Sequence, residues 1–275
     1  MASDAEILVH MAAQSLVPVG ARDPVGTFAA NVMGTVHVLQ AGLALPSLRA
    51  ALIITTDKVY ANADSGRTFV EDDALGGNEP YGASKAAAEF AVDAYRARYA
   101  AKGIGLATAR AGNVIGGGDW SAERLVPDLV RALWSGVPVT LRHPDAVRPW
   151  QHVLDPLAGY LAYIERLVAD PAPAPPALNF APANQACRPV AEVVDAFVAR
   201  FNDHPGWRAA TAAEYHEAKT LRLSAAKAEA TLGWRSRLDF AAATAWTADW
   251  YAAHRSGTPM RAFTLAQIEN FEALA

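Results

Sequence analysis

The sequence predicts an α/β protein whose core is a parallel sheet with helices on both faces. Three observations predict it: continuous apolar runs of strand length, longer stretches of helical spacing between them, and turn residues at the junctions. The first run, Ile7 to Ala13 ("ILVHMAA"), starts almost at the first residue and reads as a buried strand. Asn31 to Leu45 then carries apolar residues at helical spacing, and Ala50 to Thr56 ("AALIITT") is a second buried strand. A long alanine-rich helix is expected from Pro80 to Lys102, with proline at its start and Gly103 as its stop. Ile104 to Arg110 ("IGLATAR") is the third strand. Beyond Gly112 the pattern is less regular: a glycine loop at 116–118, a helix near 123–135, a strand at 137–141 and a helix from Pro156 to about Ala169. "DPAPAPPA", from Asp170 to Ala177, is a proline-rich connector. A strand at 178–181 follows, then helices at 190–201, 224–231 and 240–255, with no internal repeat.

Of the 275 residues, 52% are apolar and 19% charged, the balance of an ordinary globular protein with a sizeable core. The net charge of -4 is interspersed, which argues against a nucleic-acid arm or a polybasic membrane anchor. Cys187 is the only cysteine, so the chain holds no internal disulfide and no cysteine-rich metal site, and no motif around Cys187 suggests a catalytic thiol. No apolar run approaches the roughly 20 residues of a membrane span, and no signal core opens the chain; a cytoplasmic protein is expected. His216 and His254 stand in helical segments without metal-ligand spacing and are expected to be surface histidines, with no metal site in the chain.

The chemistry gathers in two stretches. In "PYGASKAAAE", Tyr81 and Lys85 are four residues apart near the start of a helix, so both emerge on one face. A neighbouring ammonium favours the phenolate, which is what a tyrosine base requires. Tyr-x-x-x-Lys alone is weak, and a surface pair on an ordinary helix fits it too. Its place strengthens it, because this helix follows a strand ending in Thr55-Thr56, and ligands of parallel sheets gather at the strands' carboxyl ends. Immediately after that strand, "ITTDKVY" sets a hydroxyl, a carboxylate and an ammonium on Thr56, Asp57 and Lys58.

With these residues in view, the chain resembles the extended short-chain dehydrogenase/reductase superfamily, and within it the CDP-glucose 4,6-dehydratases. "HMAAQ", "NVMGTVHVL", "DKVYAN", "GGNEPYGASKAAAE", "RAGNVIGGGDW" and "RPWQHVLDPLAGYL" carry the resemblance. It implies a partial Rossmann-like, doubly wound sheet over residues 1–115 and a smaller, mainly substrate-binding C-terminal lobe over 116–275, the chain crossing back between them. It also implies NAD as cofactor, met by Ala12, Ala13, Gln14, Asn31 and Thr55 together with Tyr81 and Lys85. Asn31 equally suits a helix-start residue. The implied reaction oxidises C4 of a nucleotide-linked glucose, eliminates water across C5 and C6, and reduces C6. Tyr81 would be the base at the C4 hydroxyl, Lys85 its ammonium partner, and Thr56 a hydrogen-bond partner of the C4 oxygen. Asp57 would be the elimination acid, since a carboxyl group packed at the end of a buried strand holds its proton more readily. Lys58 stands where related dehydratases place a glutamate base, and serves either as that base or as an electrostatic stabiliser of the enolate. Asn113, Arg148 and Arg124 are expected to meet the substrate diphosphate; Arg148 alternatively forms a structural ion pair. Trp120 and Trp150 flank the base or sugar, or simply pack. A homodimer through the helices near 31–45 and 80–102 is implied by the same resemblance.

A dinucleotide fold of this kind opens with a strand, a glycine-rich turn and a helix N-terminus for the pyrophosphate. No such turn precedes "HMAAQ", which matches the family's fourth strand, so the first mononucleotide-binding half is expected to lie before Met1 of a longer reading frame. The first strand would then form an apolar sheet edge, an aggregation hazard. An epimerase or reductase of the same superfamily, and a non-catalytic remnant binding a sugar nucleotide or a partner, remain alternatives.

Overall fold

The computed structural model describes residues 4–172, 174–183, 186–201, 205–211 and 220–274; the expectation for His216 lies outside them. In chain order come β1 (Ile7–His10), α1 (Val17–Arg22), α2 (Pro24–Phe28), a π-helical turn (Ala29–Met33), α3 (Gly34–Gly42), β2 (Ala50–Ile54), a 3-10 turn (Asp57–Val59), β3 (Thr68–Phe69), α4 (Pro80–Ala100) and β4 (Gly105–Ala111). There follow β5 (Val114–Ile115), α5 (Leu125–Ser135), β6 (Val139–Leu141), β7 (Val147–Pro149), β8 (Gln151–His152), α6 (Leu154–Ala169) and β9 (Ala177–Phe180). The last elements are β10 (Cys187–Pro189), α7 (Val190–Val198), β11 (Trp207–Ala209), β12 (Arg222–Leu223), α8 (Ala226–Leu232), α9 (Phe240–Arg255) and α10 (Met260–Glu272). Two compact units result: residues 1–112, 157–180 and 223–235 form one, and 113–156, 181–222 and 236–275 the other.

The first unit is built on a parallel sheet of order β1-β2-β4-β9. Side chains alternate across it with period two, so β2 sends Ala51 and Ile53 to one face and Ala50 and Leu52 to the other. On the first face they pack with Leu39 of α3 and with Val92 and Tyr99 of α4. On the second they meet Tyr160, Tyr163 and Leu167 of α6 and Ala228 of α8. Burial on both faces explains why these strands read as unbroken apolar runs. The doubly wound α/β expectation is met. β1 is one of the two edge strands, with Ile7 and Val9 38% and 42% exposed.

Several boundaries differ from expectation. The first strand stops at His10, and Met11–Gln14 leave the sheet as a loop at its carboxyl end. The helical stretch expected from Asn31 begins at Val17 and is broken where Pro24 starts a new helix, capped by Asp23, whose Oδ1 accepts the Gly26 N–H at 2.9 Å. Asn31 therefore sits inside a π-helical turn rather than at a helix start. α10 was not anticipated; Phe271 is its buried residue, so it carries little periodic signal. α4 matches its expected signals: Pro80 opens it, Glu79 caps it, and Gly103 ends the segment in the left-handed region at φ +70.

The second unit has its own core, in which Leu129 and Val130 of α5 meet Val139, Phe197 of α7 and Tyr251 of α9. No described helix is long and apolar enough to cross a membrane.

Candidate active site

β2 ends against a turn whose geometry is set by Thr56. Its extended backbone caps the 3-10 turn, its Oγ1 accepting the Lys58 N–H at 3.4 Å. The same hydroxyl donates to Asp57 Oδ1 at 3.1 Å, and Lys58 Nζ lies 3.7 Å from that oxygen. Hydroxyl, carboxylate and ammonium thus form one contiguous group, as their adjacency in sequence suggested. Asp57 is fully buried, while the Lys58 side chain is 22% exposed. Room for the carboxylate comes from Gly112, where a Cβ would collide with both Asp57 oxygens and its Cγ.

The first turns of α4 pack directly on this group. A Cβ on Gly82 would fall 2.7 Å from Lys58 O, so the helix approaches the turn as closely as glycine permits. Glu79 fixes the helix start by accepting from the N–H groups of Tyr81 (2.8 Å) and Gly82 (2.6 Å). Tyr81 is 9% and Lys85 5% exposed; Lys85 Nζ donates to Ile54 O at 2.8 Å, tying the helix to the end of β2. Burial pushes the Lys85 ammonium down to about 8, a fall that the carboxylate of Glu89 opposes.

A second loop closes on α4 from β1. Asn31 Nδ2 donates to Gln14 O and to Ser84 Oγ, both at 2.9 Å, and its Oδ1 accepts the Gln14 N–H at 2.8 Å. The π turn thus aims Asn31 to lock the Met11–Gln14 loop onto the helix turn holding Tyr81 and Lys85. The nicotinamide-ribose end of the cofactor that the resemblance implies fits this donor set. Ala12 is exposed and Ala13 half-buried at the strand end, Lys85 is a buried ammonium, and His10 Nε2 is buried without a hydrogen-bond partner. Tyr81 and Lys85, with the loop Ala12, Ala13 and Gln14, could hold the nicotinamide ribose; the side-chain groups of Asn31 and Thr55, expected there too, are taken by Gln14, Ser84 and Glu89, so these two support the site instead.

Asn113, Arg124 and Arg148 belong to the second unit. Asn113 adopts φ +50, and its carbonyl accepts the Gln151 N–H at 3.3 Å. Arg124 is the residue before α5 and faces Asp119 at 3.8 Å. Arg148 is 3% exposed and donates to Val147 O at 2.9 Å. Trp150 is a packing residue, buried with its Nε1 donating to Arg188 O at 3.0 Å. His254 is on the surface as expected, yet its ring is stacked between Trp134 and Trp250 at 5.9 and 5.6 Å.

Reasoning from sequence missed His10, Glu79 and Glu89. Each had a signal: a histidine closing an apolar strand, an acidic residue directly before a helix-opening proline, and a glutamate one turn past Lys85 on an alanine face.

Comparison with known proteins agrees with this fold. Residues 1–179 match the model of the NAD dependent epimerase/dehydratase family. The CDP-glucose 4,6-dehydratase of Salmonella typhimurium is 37% identical over 272 residues, covering 97% of this chain and 76% of that enzyme. Among solved structures, the dTDP-glucose 4,6-dehydratase DesIV from Streptomyces venezuelae, crystallised with NAD, superposes with a TM-score of 0.79 at 26% identity, over 93% of this chain and 76% of that one. A UDP-glucuronic acid 4-epimerase from Bacillus cereus reaches 0.77 at 16% identity, over 91% and 76%, a likeness of fold alone. The chain belongs to the NAD-dependent epimerase/dehydratase family.

Proposed function

We propose that the protein is a nucleotide-sugar 4,6-dehydratase acting on CDP-glucose to give a 4-keto-6-deoxy sugar. The observation that carries this reading is the packing of Asp57 and Lys58, an acid–base pair suited to elimination, against the helix turn holding Tyr81 and Lys85. Support for the nucleotide comes from the 37% identical relative, a CDP-glucose 4,6-dehydratase. NAD, held at its nicotinamide ribose by Tyr81 and Lys85 beside the Ala12–Gln14 loop, would supply the hydride acceptor for C4 and the hydride donor for C6. Tyr81 takes the proton of the C4 hydroxyl, with the Lys85 ammonium favouring its phenolate form, and Thr56 hydrogen-bonds the C4 oxygen.

The resulting ketone acidifies the C5 hydrogen. The Asp57–Lys58 ion pair and its neutral tautomer differ by one proton moved across 3.7 Å, and the neutral form holds both groups elimination needs. Lys58, as the amine, takes the C5 proton while Asp57, as the acid, protonates the departing C6 hydroxyl, and water leaves. Lys58 then returns its proton to C5 as C6 is reduced. The proton held by Tyr81 restores Asp57 for the next cycle, and Thr56, already hydrogen-bonded to Asp57, is placed to pass it on. Asn113, Arg124 and Arg148 are assigned to the diphosphate.

Incubating the protein with NAD and CDP-glucose tests the reading. Appearance of a 4-keto-6-deoxy product by mass spectrometry and NMR is expected; a C4 epimer in its place would sink it. A homodimer through the α3 and α4 faces is part of the same reading, supported by Phe90 (60% exposed) and by Met33 (47%) just before α3. Phe90→Glu is expected to convert a dimer to a monomer in analytical ultracentrifugation. An unchanged sedimentation coefficient would remove this surface from consideration.

A further inference from the structure

We propose that the Glu89–Arg110 ion pair is a positioning clamp that holds both ends of the catalytic turn, Thr55 before it and Tyr60 after it. The proposal rests on the dehydratase reading for the turn's role. Glu89 of α4 is 2% exposed, and its carboxylate accepts four hydrogen bonds. These come from Thr55 Oγ1 at 2.6 Å, Thr108 Oγ1 at 2.8 Å, Arg110 Nε at 2.9 Å and Arg110 Nη2 at 3.0 Å. Arg110 of β4, 4% exposed, turns its remaining nitrogen Nη1 to Tyr60 Oη at 2.9 Å and Glu71 O at 3.0 Å. Tyr60 donates onward to Asn179 Oδ1 of β9 at 2.7 Å, and the guanidinium carbon lies 5.2 Å from the centre of its ring. Thr56, Asp57 and Lys58 hang between these two anchors.

Stability alone does not explain the arrangement. Desolvating two charges offsets much of their attraction, and well-packed apolar side chains in the same space would hold the sheet as firmly. What apolar packing lacks is direction. A guanidinium offers donors in a rigid planar fork, so two nitrogens on Glu89 fix where the third meets Tyr60. The spacing of the turn's two ends is thereby tied to α4, the helix that presents Tyr81 and Lys85. Those two residues have separate supports in the Glu79 cap and in Asn31 with Ser84. Loosening the clamp should therefore slow elimination, which needs both Asp57 and Lys58, more than oxidation at C4, which keeps Tyr81 and Lys85 in place and loses only the aim of Thr56.

The test uses Tyr60→Phe, which cuts one arm and leaves the ion pair whole, together with Arg110→Lys, which keeps the charge but cannot span both arms. Misplacing a catalytic group by about 1 Å costs roughly 100-fold. Each variant is expected to lose on the order of 10- to 100-fold in kcat on CDP-glucose, to keep KM close to the parent value, and to accumulate reduced nicotinamide during turnover. In the protein without substrate, amide exchange at residues 55–60 is expected to accelerate while β2 and the body of α4 stay protected. Unchanged exchange at 55–60 overturns the clamp, as does an unchanged kcat or full rescue by Arg110→Lys in an active protein. If the parent turns CDP-glucose into a product other than the 4-keto-6-deoxy sugar, it is the dehydratase reading that fails. The exchange measurement then decides the clamp by itself: faster local exchange supports it and no change overturns it.

Discussion

Tyr81→Phe is expected to lower kcat by about 10³-fold or more while leaving the fold intact, because in the proposed mechanism the phenol oxygen receives the C4 proton. The ring itself stays anchored: it is 9% exposed, its backbone is held by the Glu79 cap, and phenylalanine fills the same space. Circular dichroism and thermal unfolding close to the parent, with turnover lost, are the expected pair of results. A variant retaining more than about a tenth of the parent rate would remove Tyr81 from the proton step. The pH dependence should point to its partner, Lys85. Burial lowers its pKa from 10.5 to about 8, with Glu89 on the same helix opposing the fall; His10 at the end of β1 also feels its charge. Activity that needs the ammonium should therefore decline as pH rises through about 8. Stability should move the other way. Between pH 8 and 10.5 the unfolded chain still binds the proton that the folded chain has released, so folding gains with rising pH, by about 3 kcal/mol at most. Lys85→Met should flatten that alkaline gain, and denaturant midpoints across the range would show it.

Much of the site was legible because its residues lie close together in sequence. "ITTDKVY" already placed hydroxyl, carboxylate and ammonium in a row, and the structure keeps them within one capped turn. The parallel core was legible for a related reason: strands buried on both faces have no polar alternation, and "AALII" could be little else. The parts that escaped depend on distant contacts. Glu89 looks like any solubilising charge on an alanine-rich helix until β2 and β4 bring Thr55, Thr108 and Arg110 to it. The start of the first helical segment escaped because Pro18, Gly20 and Pro24 interrupt its periodicity, and packing rather than propensity makes it helical: a Cβ on Gly20 would come within 3.3 Å of the Tyr81 backbone. Two-residue strands such as β5 and β8, which among the described residues pair with each other, leave no pattern to read.

Asp57→Asn is expected to separate dehydration from the other reactions that a Thr–Tyr–Lys site can perform. Asparagine has the shape of aspartate and keeps an oxygen to accept the Thr56 hydroxyl, so the fully buried position, with its space opposite Gly112, should tolerate it. What it loses is the acidic proton. A general acid contributes about 10²- to 10⁴-fold, and without one the C6 hydroxyl must leave as hydroxide. Turnover to the 4-keto-6-deoxy sugar should fall by at least 100-fold. Tyr81, Lys85 and Thr56 are untouched, so C4 oxidation should continue, and reduced nicotinamide should build up once substrate is added. An epimerase or reductase would behave differently, since neither reaction expels the C6 hydroxyl and Asp57 would be dispensable. Asp57→Asn with full turnover beside an inactive Tyr81→Phe would therefore assign the chain to that chemistry instead. The Asp57–Lys58 contact at 3.7 Å would then be a structural ion pair at the end of a strand.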